Sequence, residues 1–282
     1  MKKQIVLLLT VLAVLFVAVP VWAGSEEIVS IQGEKWEIPA TICMPDGNGP
    51  FPLVIMYHGT ASSRDEAGGG YKMLAPKLAD AGIASVRFDF VGNGDSKGDY
   101  KDYTLTSAYK DGESVIDYML KNDKIDSKRI GVLGWSQGGT IAMLTAGRDS
   151  RVKSMVTWAG AVDMSSYLAD KYDEAKKNGF ARVEFDWRTP LNFSLAWFDE
   201  VRSTDVAKEL SNYKGAALAM AGTKDTTVPL TDLDKIVAAC KGSPVKKELI
   251  DGADHTFNVF TGDLTAYNKL SDETVKFFTE TL

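Results

Sequence analysis

The sequence predicts an α/β fold built on a mostly parallel central sheet with helices on both faces. Three observations predict it. Strand-like apolar runs alternate with segments of helical periodicity along most of the 282 residues, which is typical of parallel strands joined by helical crossovers. Residues 28–31 and 36–44 form an opening hairpin that adds an antiparallel edge. Residues 130–144 have the pattern of a strand, an abrupt turn and a helix.

The predicted elements follow one another without an internal repeat or a low-complexity tract. After the hairpin they are strands at 53–57, 83–90, 130–135, 152–158, 216–221 and 245–250, and helices at 71–81, 105–120 and 233–241, with another helix after the abrupt turn. A sheet of this kind collects its functional groups in the loops at the carboxyl ends of its strands. Residues 24–282 are therefore expected to form one domain.

The first 23 residues are predicted to be a cleavable signal peptide. Lys2 and Lys3 supply a positive n-region, residues 5–19 an apolar core, and Val21-Trp22-Ala23 a small-x-small cleavage site. The alternative is an uncleaved N-terminal anchor. Because the apolar segment is short for a membrane span, we expect a secreted or periplasmic protein with no stable membrane insertion after cleavage.

Composition and charge limit the classes of partner. Hydrophobic residues make up 45% and charged residues 25% of the chain, which is ordinary for a soluble globular protein. The net charge is −6 and the pI is near 5.1. No basic stripe is available to neutralise phosphates, so a nucleic-acid partner is not expected.

Ser136 stands at the apex of the abrupt turn, in the segment Gly134-Trp135-Ser136-Gln137-Gly138-Gly139. A turn this sharp strains the backbone of its central residue and needs flanking glycines so that strand and helix can approach. It lifts the serine hydroxyl clear of the sheet, beside helix N–H groups that can stabilise an oxyanion. Ser136 is therefore the predicted nucleophile.

A serine hydroxyl needs a general base, and the chain has two histidines, His58 and His255. His255 follows the last predicted strand and is the predicted base, whereas His58 ends an earlier strand and is the alternative. An acid must then fix the tautomer of the base. Asp225, after the strand at 216–221, is the predicted acid. Asp163, after the strand at 152–158, is its rival.

Five segments in order carry a resemblance to a known family. They are Tyr57-His58-Gly59-Thr60, residues 87–98, the Ser136 turn, Gly222 to Pro229, and Ala253-Asp254-His255. The chain resembles the α/β-hydrolases along nearly its whole length after the leader, and the order serine, aspartate, histidine is theirs. Within the superfamily it most resembles the bacterial cinnamoyl (feruloyl) esterases, which share the G-x-S-Q-G-G turn and the G-x-x-D-x-x-V-P acid loop.

The resemblance implies an α/β-hydrolase fold and an acyl-enzyme mechanism. Ser136 would attack an ester carbonyl while His255 accepts its proton and Asp225 holds the imidazole. The backbone N–H groups of Thr60 and Gln137 would form the oxyanion hole, the Thr60 assignment coming from the resemblance. No metal or other cofactor is expected, since no His/Cys/Glu cluster stands at ligand spacing in the sequence.

The regular alternation stops at about residues 164–205, which are predicted to form an inserted cap. The segment follows the strand at 152–158 and should roof the site. Its eight aromatic residues are Tyr167, Tyr172, Phe180, Phe185, Trp187, Phe193, Trp197 and Phe198. Cinnamoyl esterases carry a cap at the corresponding place, which favours an aromatic acyl group. Trp187 and Trp197 are the predicted substrate-binding residues, because tryptophan offers the largest flat face.

The two cysteines, Cys43 and Cys240, are expected to stay unbridged. In the resembled fold their elements lie at opposite edges of the sheet, far beyond the ~7 Å that a disulfide permits between Cα atoms. Both are expected to act as small core hydrophobes.

Three functions are compatible with these observations. The first is an exported serine carboxylesterase acting on a small-molecule ester, with hydroxycinnamates attached to plant polysaccharide as candidate substrates. The second is a serine peptidase of the same fold, of aminoacyl or dipeptidyl type. The third, a catalytically silent binding protein, is disfavoured because the triad and oxyanion residues all occur in order.

Overall fold

The computed structural model describes residues 24–282, and the predicted leader, residues 1–23, lies outside the described residues. The strands of the described part are β1 (Ser25–Gln32), β2 (Glu37–Met44), β3 (Phe51–Tyr57), β4 (Ala84–Phe88), β5 (Ile125–Trp135), β6 (Val152–Trp158), β7 (Phe180–Phe185), β8 (Arg188–Ser194), β9 (Ala216–Gly222) and β10 (Val245–Ile250). Eight of them form one sheet in the order β1-β2-β4-β3-β5-β6-β9-β10. Strand β2 pairs antiparallel with β1 and β4, and the other neighbours are parallel. The predicted α/β fold is confirmed.

Helices cover both faces of the sheet. They are α1 (Gly70–Asp80), α2 (Leu105–Met119), α3 (Gln137–Arg148), α4 (Tyr172–Asn178), α5 (Leu195–Ser203), α6 (Val206–Leu210), α7 (Thr231–Ala239) and α8 (Thr265–Thr281). Helix α2 begins at a capping box, in which Thr104 and Ser107 each bond the other's backbone N–H. Among residues 24–282, none of the helices combines the length and apolar character that crossing a bilayer requires.

The core has two layers because successive strand residues point to opposite faces of the sheet. Val54 and Met56 of β3 face the layer that contains α1 and α8. Ile55, between them, faces the layer that contains α2, α3 and α7. Strands β4 and β9 are buried along their whole length. A central parallel strand that is covered on both sides has a continuous apolar run in its sequence, and β9 was predicted from such a run.

The cysteines lie far apart in this sheet. Cys43 is in β2, near one edge, and Cys240 follows α7, which precedes the strand at the opposite edge. Both are buried free thiols, and burial raises the pKa of each to about 11. The predicted placement of their elements is confirmed.

Residues 164–205, predicted as a cap, hold α4, the β7–β8 hairpin and α5. The hairpin is a separate two-stranded antiparallel sheet. It reaches the body of the molecule at the 3-10 turn Tyr100–Asp102, where the ring of Tyr100 packs edge-on against Phe193 at 4.8 Å. The hairpin therefore packs against the loop that follows β4.

Candidate active site

Ser136 joins β5 to α3 in a strained conformation, with φ 55° and ψ −121°. Such a conformation costs a non-glycine residue ~1–3 kcal/mol and needs support from its surroundings. The support includes a hydrogen bond of 2.9 Å from Ser136 N to the carbonyl of Trp158 in β6. The turn also demands glycine: a Cβ on Gly138 would lie 1.9 Å from the carbonyl oxygen of Tyr57, and one on Gly134 would lie 2.0 Å from that of Gly138.

The structure brings Asp225 and His255 together. Asp225 Oδ2 lies 2.8 Å from His255 Nδ1, and the Asp225 side chain is inaccessible to water. Asp225 Oδ1 accepts hydrogen bonds from the backbone N–H groups of Thr227 and Val228, at 2.8 and 3.0 Å. Burial alone would raise the pKa of this carboxyl, but the hydrogen bonds from His255 and the two N–H groups hold the pKa below its usual value. Asp225 is thus an anion suited to orienting an imidazole.

The histidine loop is tied to the serine turn. Trp135, the residue before Ser136, donates a hydrogen bond from Nε1 to the carbonyl of His255 at 3.1 Å. Asp254 Oδ1 holds the loop by accepting from the N–H groups of Thr256 and Asn258. Within residues 24–282 the Ser136 hydroxyl makes no hydrogen bond to His255. Contacts of this kind are often long in the absence of substrate.

The two rival residues occupy other environments. Asp163 is exposed, and its Oδ1 accepts from the N–H of Ser165 at 2.8 Å. His58 is buried, with Nδ1 2.8 Å from the carbonyl of Gly59 and Nε2 accepting from the N–H of Phe90 at 3.1 Å. Burial lowers the pKa of His58 to about 4, so it is a neutral residue that fixes the end of β3.

The predicted oxyanion residues are neighbours. Gln137 is the first residue of α3, so its N–H has no acceptor within the helix. Thr60 Oγ1 donates to Gln137 Oε1 at 2.9 Å, which joins the loop after β3 to the start of the helix. A Cβ placed on Gly59 would lie 3.3 Å from Ser136 Cβ, so this loop passes directly beside the serine.

Glu66 is a member of the site that the sequence did not predict. Its Oε2 accepts from the N–H of Gly59 at 2.5 Å and its Oε1 from the N–H of Ala67 at 3.1 Å. Burial raises the pKa of Glu66 to about 7, although the charge of His255 and the two N–H groups oppose this. Its backbone, at φ 61° and ψ −179°, is in a region that is essentially reserved for glycine. Glu66 therefore fixes the loop that carries Thr60.

The structure places the two predicted substrate-binding tryptophans in different surroundings. Trp197 is 0% exposed and packs between Phe193 and Phe198 at ring distances of 4.8 and 4.9 Å. The assignment of Trp197 is corrected: it belongs to the apolar face of α5 that packs the cap. Trp187 lies at the turn between β7 and β8, 69% exposed, with its ring 5.0 Å from that of Phe185. The substrate-binding role of Trp187 stays a prediction.

The part of the chain that the structure describes contains no group of three or more His, Cys, Asp or Glu side chains that could hold a metal ion. The chemical groups gathered at the carboxyl ends of β3, β5, β9 and β10 are instead a strained serine, a histidine–aspartate pair and two candidate N–H donors. This constellation suits acyl transfer.

Comparison with known proteins agrees with this geometry. Residues 34–189 match the profile of the X-Pro dipeptidyl-peptidase (S15) family. The chain belongs to this family. The matched segment of the S15-family chain includes Thr60, Ser136 and Gln137, whereas Asp225 and His255 lie beyond it.

Two curated relatives match about half of the S15-family chain. An uncharacterized 31.7 kDa protein from the traX-finO intergenic region of Escherichia coli is 31% identical over 143 residues, 51% of this chain and 49% of that protein. The 2,6-dihydropseudooxynicotine hydrolase of Paenarthrobacter nicotinovorans is 32% identical over 133 residues, 45% of this chain and 33% of that protein. The S15-family chain thus matches half or less of the length of these relatives.

A solved structure covers the fold more fully. Est1E from Butyrivibrio proteoclasticus with bound ferulic acid has a TM-score of 0.73 at 21% identity, over 90% of this chain and 98% of that chain. At this identity the likeness concerns the fold. The S15-family chain therefore has the α/β-hydrolase fold, which solved structures such as this one share.

Replacing Asp225 by Asn should lower kcat for p-nitrophenyl acetate by about 10⁴, because the amide favours the wrong tautomer of His255. Asp163→Asn is the matched control and should stay within a few-fold of the wild type, since the Asp163 carboxylate bonds the N–H of Ser165 and is exposed. Steady-state kinetics on both variants tests this. Reversed effects would assign the acid to the loop after β6.

Replacing Glu66 by Ala should lower kcat by about 10²–10³ with little change in KM, because the oxyanion loop loses its anchor. Glu66→Gln keeps an acceptor for the N–H of Gly59 and should retain most of the activity. A loss of similar size in both variants would mean that charge, rather than loop position, matters.

The same pair of proteins should differ in the pH dependence of stability. Since the folded pKa of Glu66 is raised from 4.5 to about 7, the wild type loses stability relative to Glu66→Gln as pH rises from about 4.5 to about 7. Denaturant unfolding at pH 5 and pH 8 measures this difference, and parallel curves at both values would contradict it.

Proposed function

We propose that this protein is a serine carboxylesterase that works through Ser136, His255 and Asp225. One observation carries the proposal: a histidine hydrogen-bonded to a buried aspartate is tied to the turn that holds a strained serine at the start of α3. The paired N–H groups of Thr60 and Gln137 complete the arrangement that acyl transfer requires.

The mechanism follows from these positions. His255 takes the proton of Ser136 as Oγ attacks the ester carbonyl, and Asp225 stabilises the imidazolium that forms. The N–H groups of Thr60 and Gln137 donate to the oxyanion, each worth about 3–4 kcal/mol in the transition state. His255 then gives its proton to the leaving alcohol. Water enters, His255 accepts its proton, and the acyl-enzyme is hydrolysed by the reverse route.

A more specific version of this proposal is that the substrates are aromatic acyl esters. A protein of the same fold, Est1E, has been solved with ferulic acid bound. The cap tryptophans of this chain add no support, because one is buried and the other exposed. Feruloyl esters, including those on plant polysaccharide, are therefore among the candidate substrates to be tested.

A serine peptidase is the second candidate, because the matching family is that of the X-Pro dipeptidyl-peptidases. The same triad cleaves amides and esters. An aminoacyl or X-Pro anilide discriminates between the two functions, because its leaving group is an amine rather than an alcohol.

A fluorophosphonate should form an adduct on the peptide that contains Ser136, and Ser136→Ala should abolish it. The wild type should hydrolyse p-nitrophenyl acetate and methyl ferulate with kcat/KM well above that for Ala-Pro-p-nitroanilide, and Ser136→Ala should lose about 10⁶ in kcat. Preferred cleavage of the anilide would establish the peptidase. A loss of only a few-fold in Ser136→Ala would reject the nucleophile.

We also propose that the protein is exported, on the basis of the charged and apolar leader at residues 1–23. Expression of the full chain in a bacterium, followed by N-terminal sequencing of the periplasmic fraction, should yield a mature protein beginning at Gly24. Replacing Ala23 by a bulky residue should block cleavage. An intact Met1 on the wild-type protein would refute processing at this site.

A further inference from the structure

Arg188, in the cap hairpin, has no counter-ion among the described residues. Of the eight arginines in residues 24–282, six pair with a carboxylate, namely Arg64, Arg87, Arg129, Arg148, Arg151 and Arg182. Arg202 lies instead over the ring of Tyr172, 3.9 Å from its centre. Arg188 Nη1 donates to two neutral oxygens, Ala61 O and Asn93 Oδ1, each at 2.9 Å, and its Nε is buried without an acceptor.

An unpaired guanidinium is costly in a partly buried position. Burial lowers the pKa of Arg188, which shows that the surroundings do not compensate its charge. A buried N–H without an acceptor also loses its hydrogen bond to water. Natural proteins rarely retain such a group, so its presence beside an active site points to a partner that arrives with the substrate.

Tyr100 presents a second unsatisfied donor at the same junction of cap and body. The residue is 4% exposed, and its hydroxyl is buried without a hydrogen-bond partner. Burial raises the pKa of this hydroxyl, and the nearby charge of Arg188 acts in the opposite direction. Both residues lie against the same part of the loop after β4, because Arg188 Nη1 bonds Asn93 Oδ1 and a Cβ on the neighbouring Gly92 would lie 2.5 Å from the backbone of Tyr100.

This junction is close to the reacting centre. Ala61, whose carbonyl binds Arg188, directly follows the proposed oxyanion residue Thr60. Since consecutive Cα atoms are ~3.8 Å apart, the guanidinium lies on the order of 10 Å or less from the Thr60 N–H. Neither of two nearby ionisable residues offsets or repels the charge of Arg188. His58 is neutral, and Asp89 is paired with Arg64.

We propose that Arg188 and Tyr100 bind a carboxylate of the substrate, so that the preferred substrates are esters that carry a second, free carboxylate. This inference rests on the proposed esterase function. The Nε–H of Arg188 and the hydroxyl of Tyr100 are hydrogen-bond donors without an acceptor, and a carboxylate has oxygen acceptors for both. A carboxylate on the acyl half and one on the alcohol half share this chemistry, and the substrates below distinguish them.

The test compares charged and neutral esters of matched length on the full mature protein. Monoethyl adipate and ethyl hexanoate differ in a terminal carboxylate on the acyl half, and 4-acetoxybenzoate and 4-methylphenyl acetate differ in one on the alcohol half. For one of these pairs, the wild type should prefer the charged ester by about tenfold or more in kcat/KM. Arg188→Gln should lower that ratio by about 10- to 100-fold, and Tyr100→Phe by about 3- to 10-fold.

Arg182→Gln is the matched control, because Arg182 lies in the same hairpin but is exposed and paired with Glu184 at 2.9 Å. Its ratios should equal those of the wild type. Arg188→Lys, which keeps the charge and loses the planar fork, should retain part of the preference.

Unchanged ratios in Arg188→Gln would overturn the carboxylate site. Equal losses on charged and neutral esters would do the same, and would make Arg188 a tie between the cap and the oxyanion loop. Failure of the esterase proposal is separate: it would appear as no fluorophosphonate adduct on Ser136 and no hydrolysis of any of the four esters.

Discussion

The contact between Gly138 and the carbonyl of Tyr57 is the constraint on which the site depends. At 1.9 Å from that oxygen there is no room for a Cβ, so α3 can start against the end of β3 only with glycine at this position. The approach places the N–H of Gln137 beside the loop that carries Thr60. Without this close approach, the two N–H groups of the proposed oxyanion hole, those of Thr60 and Gln137, would lie apart.

Two strained residues flank the loop that passes the serine. Ser136 and Glu66 both have positive φ values, and neither is glycine. Each residue takes part in a hydrogen bond that holds its turn. Ser136 N donates to the carbonyl of Trp158, and the Glu66 carboxylate accepts from the N–H of Gly59. Strain that is fixed in this way would keep the proposed donors and the proposed nucleophile in position before substrate arrives, so that the reaction needs little reorganisation.

The fold was predictable because it depends on local patterns. Buried strands such as β9 are continuous apolar runs, and the glycines around Ser136 mark the turn. The choice of Asp225 over Asp163 was harder, since both follow the carboxyl ends of adjacent strands, and only the conformation of the two loops separates them. Trp197 was misassigned because its aromatic character outweighed its position: with Phe198 and Val201 it forms the buried face of α5.

Glu66 and Arg188 could not have been found in the sequence. The role of Glu66 depends on a backbone conformation that no local pattern encodes, and the contact of Arg188 with Ala61 joins residues 127 positions apart. Both are charged residues in loops or hairpin ends, where a solvated surface group is the ordinary expectation. Their surroundings follow only from the tertiary structure, which buries Glu66 and leaves Arg188 without a carboxylate partner among residues 24–282.

Burial of the two cysteines determines how fast their thiols would react with oxidants. A thiol with a pKa of about 11 is almost wholly protonated at neutral pH, and the thiolate is the form that attacks disulfides and oxidants. The native state therefore protects Cys43 and Cys240 kinetically, whereas the unfolded chain exposes both as ordinary thiols. If the protein is exported as proposed, folding must bury β2 against β4 and α7 against the sheet before the thiols are oxidised. A slow-folding variant would then accumulate cross-linked chains while its native stability stayed intact.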